Sequence, residues 1–292
     1  MGAAGDMLTA ALLEIACRAE PGSDARVDQD KIGRFVSRFN SLGIAGVEMR
    51  AEQDEKQGVR GTHVRVLVNG EEEHEPGEHE HSHTHEHGHT HEHCHTHEHD
   101  HAHEHEHTHG GHHAHRSLAD IGEIVRGLDI DEAVKADVMA VYRLIAEAEG
   151  KVHGRPAGEV HFHEVGTMDA VADVTAVCML MHEIAADEII ASPVATGYGS
   201  VRCAHGILPV PAPATALLLQ GIPAYEGDIK GELCTPTGAA LIRYFAHKYS
   251  RMPVMSTEAI GYGLGTKDFE KANILRVFFG EAQDMTPGRQ PF

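Results

Sequence analysis

Tryptophan is absent from the chain and all aromatic residues together make up only 5% of it, so the core must be built from aliphatic side chains. Its five cysteines are odd in number and widely spaced, with no Cys-x-x-Cys pair. This pattern argues against a disulfide framework and against a structural zinc knuckle. Basic residues are also scarce, because 24 Lys and Arg face 45 Asp and Glu, for a formal net charge of -21. A nucleic-acid partner is disfavoured, since such surfaces need cationic charge, and cationic partners such as metal ions are favoured.

Long apolar runs are missing as well. No stretch approaches the roughly 18 residues that a membrane span requires, so we expect no membrane partner. The N-terminus has no basic region before an apolar core, and Glu14 interrupts its most apolar segment, which argues against a signal peptide. We therefore expect a cytoplasmic protein. With 292 residues, of which 41% are hydrophobic, the chain can form one large or two medium domains.

A histidine-rich segment interrupts the chain at residues 74–115. From 79 to 109 every second residue is His, separated mainly by Glu and Thr and once by Cys94. Such a polar, low-complexity segment cannot bury a core, and we expect it to be a disordered insert. Neutral imidazoles bind first-row metals tightly but without selectivity. The alternative is an expendable repeat inserted in a loop.

The rest of the chain has patterns of both helices and strands. Apolar spacing predicts helices at 8–19, 28–40, 131–150 and 239–249. Alternation around Gln57 and Gly58 predicts a hairpin over 47–69, and further strands are predicted at 187–192, 252–260 and 274–279. We predict an α/β (mixed α+β) fold, a compact core of strands and helices interrupted by the disordered insert. The predicted parts are a first core segment at 1–73, the insert at 74–115, the remaining core at 116–280 and a tail at 281–292.

Residues 161–173 are the stretch richest in metal-ligand side chains. His161 and His163 alternate with apolar residues, which is the period of a strand, and thus share one face. Gly166 breaks the strand, and a helix from Thr167 as N-cap to about residue 184 follows, so a strand–helix–strand unit with 187–192 is predicted. Asp169 and Asp173 are four residues apart on one side of this helix. Imidazole with carboxylate suits zinc, nickel, iron or copper. Ordinary strand histidines and a solvated helix face are the alternative.

A second group lies further along. Cys203 and His205 precede three alternating prolines that enforce an extended path, and His205 could complete a metal set with His161, His163 and Asp169. A buried His bonded to backbone is the alternative.

An anion site is predicted separately. Thr235 suits an N-cap with Pro236 in the first turn, and the amides near Thr237 can receive a phosphate, although a structural cap needs no ligand. Lys267 and Arg276 are rare cations in an acidic chain and are predicted to meet an anionic ligand. The glycine-rich run at 261–265 does not fit a dinucleotide fingerprint, because its third glycine comes too soon and no helix follows.

Several motifs, taken in order, resemble the LarC family. They are Gly-Asp-Met at 5–7, His-Phe-His-Glu-Val-Gly at 161–166 with the following Asp pair, Arg-Cys-Ala-His-Gly at 202–206 with Pro-Val-Pro-Ala-Pro-Ala-Thr at 209–215, Gly-Glu-Leu at 231–233 with Thr-Pro-Thr-Gly-Ala-Ala at 235–240, and Gly-Tyr-Gly at 261–263.

The resemblance implies an activity. It implies a metal-inserting lyase that places nickel in pyridinium-3,5-bisthiocarboxylic acid mononucleotide, forming the nickel-pincer nucleotide of lactate racemase-type enzymes. It also implies dependence on CTP with manganese or magnesium. Family members usually have a strand before the first motif and a C-terminal CTP-associated region. We expect both to be absent here, so a separate C-terminal LarC region is an expected partner, and a homo-oligomer is left open.

Two other functions are compatible with the same residues. The first is a non-enzymatic nickel or zinc storage or delivery protein, which would bind metal mainly through residues 74–115. The second is a metal-dependent hydrolase, which would keep an open metal position and a water. No motif pairing a nucleophile with a base supports the hydrolase.

Overall fold

The computed structural model describes residues 2–20, 26–72, 116–162, 164–203 and 205–283, with the side chain of Glu164 left out. The His-rich segment therefore lies outside the described residues, as do His163 and the end of the chain. Within them the chain forms seven α-helices: α1 (Gly5–Ala16), α2 (Gln29–Asn40), α3 (Leu118–Arg126), α4 (Glu132–His153), α5 (Met168–Ile184), α6 (Pro213–Leu218) and α7 (Pro236–Phe245).

The largest sheet joins the two ends of the sequence. Strand β1 (Val47–Lys56) and β2 (Val59–Val68) form the hairpin predicted around Gln57 and Gly58. The short β3 (Glu71–Glu72) pairs with the end of β2. The other half is an antiparallel pair formed by two late strands, numbered β12 (Met255–Leu264) and β13 (Ile274–Ala282) in chain order. Strand β2 lies parallel to β12, so the order is β1-β2-β12-β13. The structure confirms the mixed α/β fold.

Glycines bring α1 directly onto this sheet. A Cβ atom on Gly261 would lie 2.0 Å from the carbonyl oxygen of Ala11, and one on Gly263 would lie 2.0 Å from that of Met7. Only glycine allows helix and strand backbones to approach so closely. The glycine-rich run at 261–265 is thus explained by helix–strand packing, which agrees with the rejection of a dinucleotide loop.

The remaining strands are short and, among the described residues, form four two-stranded sheets. They are β4 (Arg116–Ser117) with β5 (His161–Phe162), β6 (Ile190–Ala191) with β11 (Lys248–Tyr249), β7 (Val194–Ala195) with β10 (Ala224–Tyr225), and β8 (Ser200–Cys203) with β9 (Gly206–Pro209).

The predicted strand–helix–strand unit around α5 is therefore wrong. Strands β5 and β6 flank that helix but pair in different sheets, each with a segment distant in sequence. Two-residue strands carry too little pattern to show their partners. The predicted bounds of α7, 239–249, were also wrong. The helix begins at Pro236, with Thr235 as its N-cap, and ends at Phe245.

Side chains cap the starts of several helices. The side chain of Asp28 accepts from the backbone N–H groups of Asp30 and Lys31, and Ser117 forms a reciprocal capping box with Asp120. The Thr235 hydroxyl accepts from Gly238 N–H at 3.1 Å. Helix α5 ends at Ile184, as predicted.

One hydrophobic core connects the helices to the large sheet. Its buried residues come from all seven described helices and from β1 and β2, and they are mainly Ala, Val, Leu and Ile. Tyr142, Phe39 and Phe162 are the largest fully buried aromatic side chains. Within the described segments no helix has the length and apolarity to cross a membrane.

Candidate functional site

Three carboxylates meet where α1 and α5 begin. Asp6 lies in the first turn of α1, and Asp169 and Asp173 lie on the first two turns of α5. All three side chains belong to partly exposed residues, yet the Oδ1 atom of Asp173 is fully buried. We call Asp6, Asp169 and Asp173 the acidic cluster. It forms because α1 packs against α5.

A glycine permits this approach. A Cβ atom on Gly5 would lie 2.5 Å from Oδ2 of Asp173, which is too close for any other residue without movement. The backbone N–H of Asp6 donates a hydrogen bond to the Asp173 carboxylate. Helix α1 has no side-chain cap from its own N-cap residue, Ala4, so Asp173 satisfies one of its first amides from another helix.

Asp6 and Asp173 of the acidic cluster hold their protons unusually strongly. Burial raises the pKa of Asp6 to about 6, against the lowering effects of backbone N–H groups and Lys267, and Asp169 adds to the increase. Burial also raises the pKa of Asp173 well above its usual value, and the charges of Asp6 and Asp169 raise it further. Crowded carboxylates resist ionisation unless a cation joins them.

Two polar atoms at the cluster have no hydrogen-bond partner among the described residues. One is Oδ1 of Asp173, and the other is the hydroxyl of Tyr142 on α4, which is fully buried. Burial raises the Tyr142 pKa, and the nearby charges of Asp169 and Asp173 raise it further. Buried polar atoms are usually satisfied, so two such atoms beside one cluster indicate a place for a ligand.

Asp169 is fixed by its own helix start. The hydroxyl of Thr167, the N-cap residue, donates to Oδ1 of Asp169, and the backbone N–H of Ala170 donates to the same atom at 2.7 Å. Just before this helix, Arg116 donates from Nη1 to the carbonyl oxygen of Gly166 at 2.8 Å. These contacts hold Gly166, just before the helix, and the first turn of α5 in place.

The described members of the predicted metal set lie in three different elements. Asp169 belongs to the acidic cluster, whereas His161 is exposed on β5 and contributes to lowering the pKa of Asp120, after the hydrogen bonds from Ser117. His205 is exposed in the turn between β8 and β9, and its ring centroid lies 4.9 Å from that of His153. Among the described side chains, no group of three or more His, Cys, Asp and Glu is arranged to hold a metal ion. The four-residue set stays a prediction, because His163 is outside the described residues.

The predicted anion-binding residues also divide. Thr235 and Thr237 lie at the start of α7, where Thr235 N–H donates to the carbonyl oxygen of Ala3, just before α1. Lys267 is half-buried and lowers the pKa of Asp6, so it lies on the same side. Arg276 is opposite Tyr262 in the sheet register, is exposed, and lies over the ring of Phe278. Gly261 and Gly263 face α1, and neighbours in a strand face opposite sides, so Tyr262 faces away from α1. Arg276 therefore lies on the sheet face away from α1.

Sequence reasoning missed several of these residues. Asp6 stood in a recognised motif without a role, and Asp173 was noted on the helix face but not assigned to the metal site. Tyr142 and His153 lie in the pattern of α4, which gave no sign of function. The motif around Asp6 and the four-residue spacing of Asp169 and Asp173 were the available signals.

Comparison with known proteins gives clear matches. A family model described as "Nickel insertion protein" matches residues 1–290. A Geobacillus kaustophilus protein named pyridinium-3,5-bisthiocarboxylic acid mononucleotide nickel insertion protein is 35% identical over 286 residues, which are 98% of this chain and 59% of that protein. A protein of the same name from Clostridium kluyveri is 37% identical over 282 residues, 97% of this chain and 60% of its own length.

A shorter match is more similar. The protein of that name from a Nocardioides species is 44% identical over 174 residues, covering 59% of this chain and 44% of its own length. The chain thus spans less than two thirds of the length of these relatives. No solved structure matches the chain.

Proposed function

The chain belongs to the nickel insertion protein family, and from this premise we propose that it inserts nickel into pyridinium-3,5-bisthiocarboxylic acid mononucleotide. That compound is named in the names of the relatives from Geobacillus kaustophilus and Clostridium kluyveri. The product would be the nickel-pincer nucleotide of lactate racemase-type enzymes. Nickel and the mononucleotide are both substrates in this proposal.

The observation that carries the proposal is the crowding of partly buried carboxyls in the acidic cluster, where the pKa values of Asp6 and Asp173 are raised. Asp6 and Asp173 keep their protons at higher pH than ordinary carboxyls, because burial and neighbouring acids oppose ionisation. A divalent cation would relieve this repulsion and release the protons. The unpartnered Oδ1 atom of Asp173 would then gain a partner.

An incomplete protein ligand set suits metal transfer. The described side chains do not provide three ligands for one ion, so water and the incoming substrate would fill the remaining positions. The two thiocarboxylate groups of the substrate offer soft sulfur donors, which nickel binds more tightly than carboxylate oxygens. As nickel–sulfur bonds form, nickel–oxygen bonds to the protein and water break, and the freed carboxyls take up protons. No electrons are exchanged, so the step is ligand exchange at close range.

The phosphate of the mononucleotide would bind beside the cluster. The start of α7 at Thr235 and Thr237 offers amides and the positive end of a helix dipole, and Lys267 adds a cation on the same side. We leave Arg276 out of this phosphate site, because it lies on the far face of the sheet. The Tyr142 hydroxyl would meet the substrate from the α4 side.

The finer features of the activity are part of the proposal. We propose that insertion is a lyase-type reaction that depends on CTP with manganese or magnesium, and that it takes place in the cytoplasm. We also propose that a separate C-terminal LarC region acts with this chain and supplies the CTP-associated part. The His-rich segment at 74–115 would collect nickel.

A storage or delivery protein is the second candidate. Its support is the alternating histidines of residues 79–109 together with the incomplete metal set in the described part of the chain. It predicts that deleting 74–115 removes nearly all nickel binding and that no nickel reaches the mononucleotide.

A transfer assay separates the two functions. The chain, loaded with nickel, is mixed with the bisthiocarboxylate mononucleotide, CTP and manganese, with and without an added C-terminal region, and nickel in the product is measured by mass spectrometry. We expect product from the wild type and at least ~10-fold less from Asp173→Asn, because one charge is lost from the cluster. Asp187→Asn, at an exposed bend, is the matched control and should act like the wild type. No product under any of these conditions contradicts insertion, and full activity of Asp173→Asn contradicts the role of the cluster.

A further inference from the structure

A pair of histidines lies outside the acidic cluster. His153 is the last residue of α4, and His205 lies in the turn between β8 and β9. The centroids of the two rings are 4.9 Å apart, with an interplanar angle of 33°. The two residues are 52 positions apart in the sequence, so their proximity is produced by the fold and not by a local repeat.

We propose that His153 and His205 form a second metal site on the surface of the protein. It binds a first-row divalent cation and holds nickel transiently before the ion is passed on. Nitrogen donors of this kind favour nickel, copper and zinc over magnesium or calcium. The role of this site in nickel delivery rests on the proposed function. Metal binding at the site does not, because it depends only on the two histidines.

The spacing of the rings fits one shared ion. With metal–nitrogen bonds of about 2.1 Å, two imidazoles on one ion place their centroids about 4.5 to 5.2 Å apart for bond angles between square and tetrahedral. The observed 4.9 Å lies inside this interval. The centroid separation is therefore the one expected for two imidazoles that share one ion.

A carboxylate orients the first imidazole. Oε2 of Glu149, one turn earlier on α4, lies 3.4 Å from Nε2 of His153. A metal-binding histidine commonly gives its second ring nitrogen to a carboxylate, which fixes the ring and strengthens the other nitrogen as a donor. The Glu149 side chain is 17% exposed and that of His153 is 31% exposed, so the carboxylate is largely shielded while the imidazole can reach solvent.

The position on the helix adds to the attraction. The carboxyl end of a helix carries a partial negative charge, and His153 stands at that end of α4. Since the described side chains provide no third ligand for this pair, water would occupy the remaining positions. Binding would be weak and reversible, which suits a site that passes its ion to another.

The test is nickel-dependent thermal stability of the full chain. Only sites that bind the folded state more tightly than the unfolded state raise the melting temperature. The wild type is compared with His153→Gln/His205→Gln and with the control His182→Gln/His247→Gln, which removes two imidazoles elsewhere. Because residues 74–115 are present in all three proteins, nickel binding by that segment contributes equally and cancels in the comparison.

We expect nickel(II) chloride to raise the melting temperature of the wild type and of the control. The nickel concentration for half the effect should rise at least ~10-fold in His153→Gln/His205→Gln, and magnesium should have no such effect on any of the proteins. Glu149→Gln should weaken nickel binding by a smaller factor. An unchanged nickel dependence in the double variant would overturn the site, and the rings would then be stacked without a ligand.

The results of this thermal stability test can be distinguished from those of the nickel transfer assay. Both rings are exposed, so the melting temperature of the double variant without nickel should match the wild type; if that variant fails to fold, His205→Gln alone gives the same test. Loss of nickel transfer with an intact nickel-induced shift would contradict insertion but leave the histidine site in place. An absent shift with intact transfer would remove the site and leave insertion standing.

Discussion

Gly5 lies against the carboxylate of Asp173, so close that a Cβ atom on Gly5 would be 2.5 Å from Oδ2 and 2.7 Å from Cβ of Asp173. This contact joins the start of α1 to the second turn of α5, and it places Asp6 beside Asp173. The acidic cluster therefore depends on the absence of one side chain.

Gly5→Ala should lower the free energy of unfolding by about 1–2 kcal/mol, because the added methyl group must displace Asp173 or separate the helices. Urea denaturation followed by circular dichroism measures the change. Gly33→Ala is the matched control, since no atom lies within 4 Å of the added Cβ on α2. It should stabilise the protein by about 0.5–1 kcal/mol through helix propensity. Equal effects of both substitutions would refute the contact.

Gly263→Ala should destabilise the protein more strongly than Gly5→Ala, by about 3 kcal/mol, since the added Cβ would meet backbone atoms of α1 that cannot rotate away. The nearest of these is the carbonyl oxygen of Met7, at 2.0 Å. Thermal unfolding measures the loss. Gly122→Ala on α3, whose nearest contact is the flexible end of Met139 at 3.5 Å, should be neutral or stabilising. A tolerated Gly263→Ala would contradict the close packing of α1 on β12.

Asp6→Asn should stabilise the protein in a manner that depends on pH. The folded-state pKa of Asp6 is about 6, above the ordinary value of 3.8, so the folded state binds its proton more tightly than the unfolded state. Its contribution to stability is complete below pH 3.8 and is lost as the pH rises through 6. The variant should match the wild type near pH 4 and exceed it by about 2–3 kcal/mol at pH 7.5. Urea denaturation across this pH range gives the difference, and a gain independent of pH would disprove the raised pKa.

Glu14→Gln should destabilise the protein by about 2–4 kcal/mol, because Glu14 is a buried carboxylate that accepts several hydrogen bonds. Its side chain is 0% exposed, forms an ion pair with Arg26 at 3.1 Å, and accepts from the Thr62 hydroxyl and the Tyr262 N–H at 2.9 Å each. An amide cannot accept from all three. Glu48→Gln, which alters an exposed pair with Arg50, should leave stability almost unchanged in the same thermal unfolding experiment. Similar losses in the two variants would contradict the network.

The sequence allowed much of the local structure to be predicted. The hairpin turn at Gln57 and Gly58 and the helix cap at Thr235 were confirmed, because each depends on residues only a few positions apart. Partners of the two-residue strands could not be predicted. Such strands have no periodicity of their own, and their pairing is set by the packing of the helices around them.

The site was predicted in part. The four-residue spacing of Asp169 and Asp173 placed both carboxylates on one side of α5, but nothing local indicated that Asp6 and Tyr142 would join them. Likewise, His205 was singled out as a ligand type, while its neighbour His153 was hidden in the pattern of a long helix.

The sequence by itself determined the family, the acidic character, the supply of metal-binding side chains and the positions of turns and caps, since these depend on composition and on contacts between near neighbours. Only the tertiary structure decided which acids share the cluster, which imidazole lies beside His205, and which face of the sheet Arg276 occupies. The physical reason is that these contacts join segments far apart in the chain, and burial of the helices against the large sheet, not local propensity, brings them together.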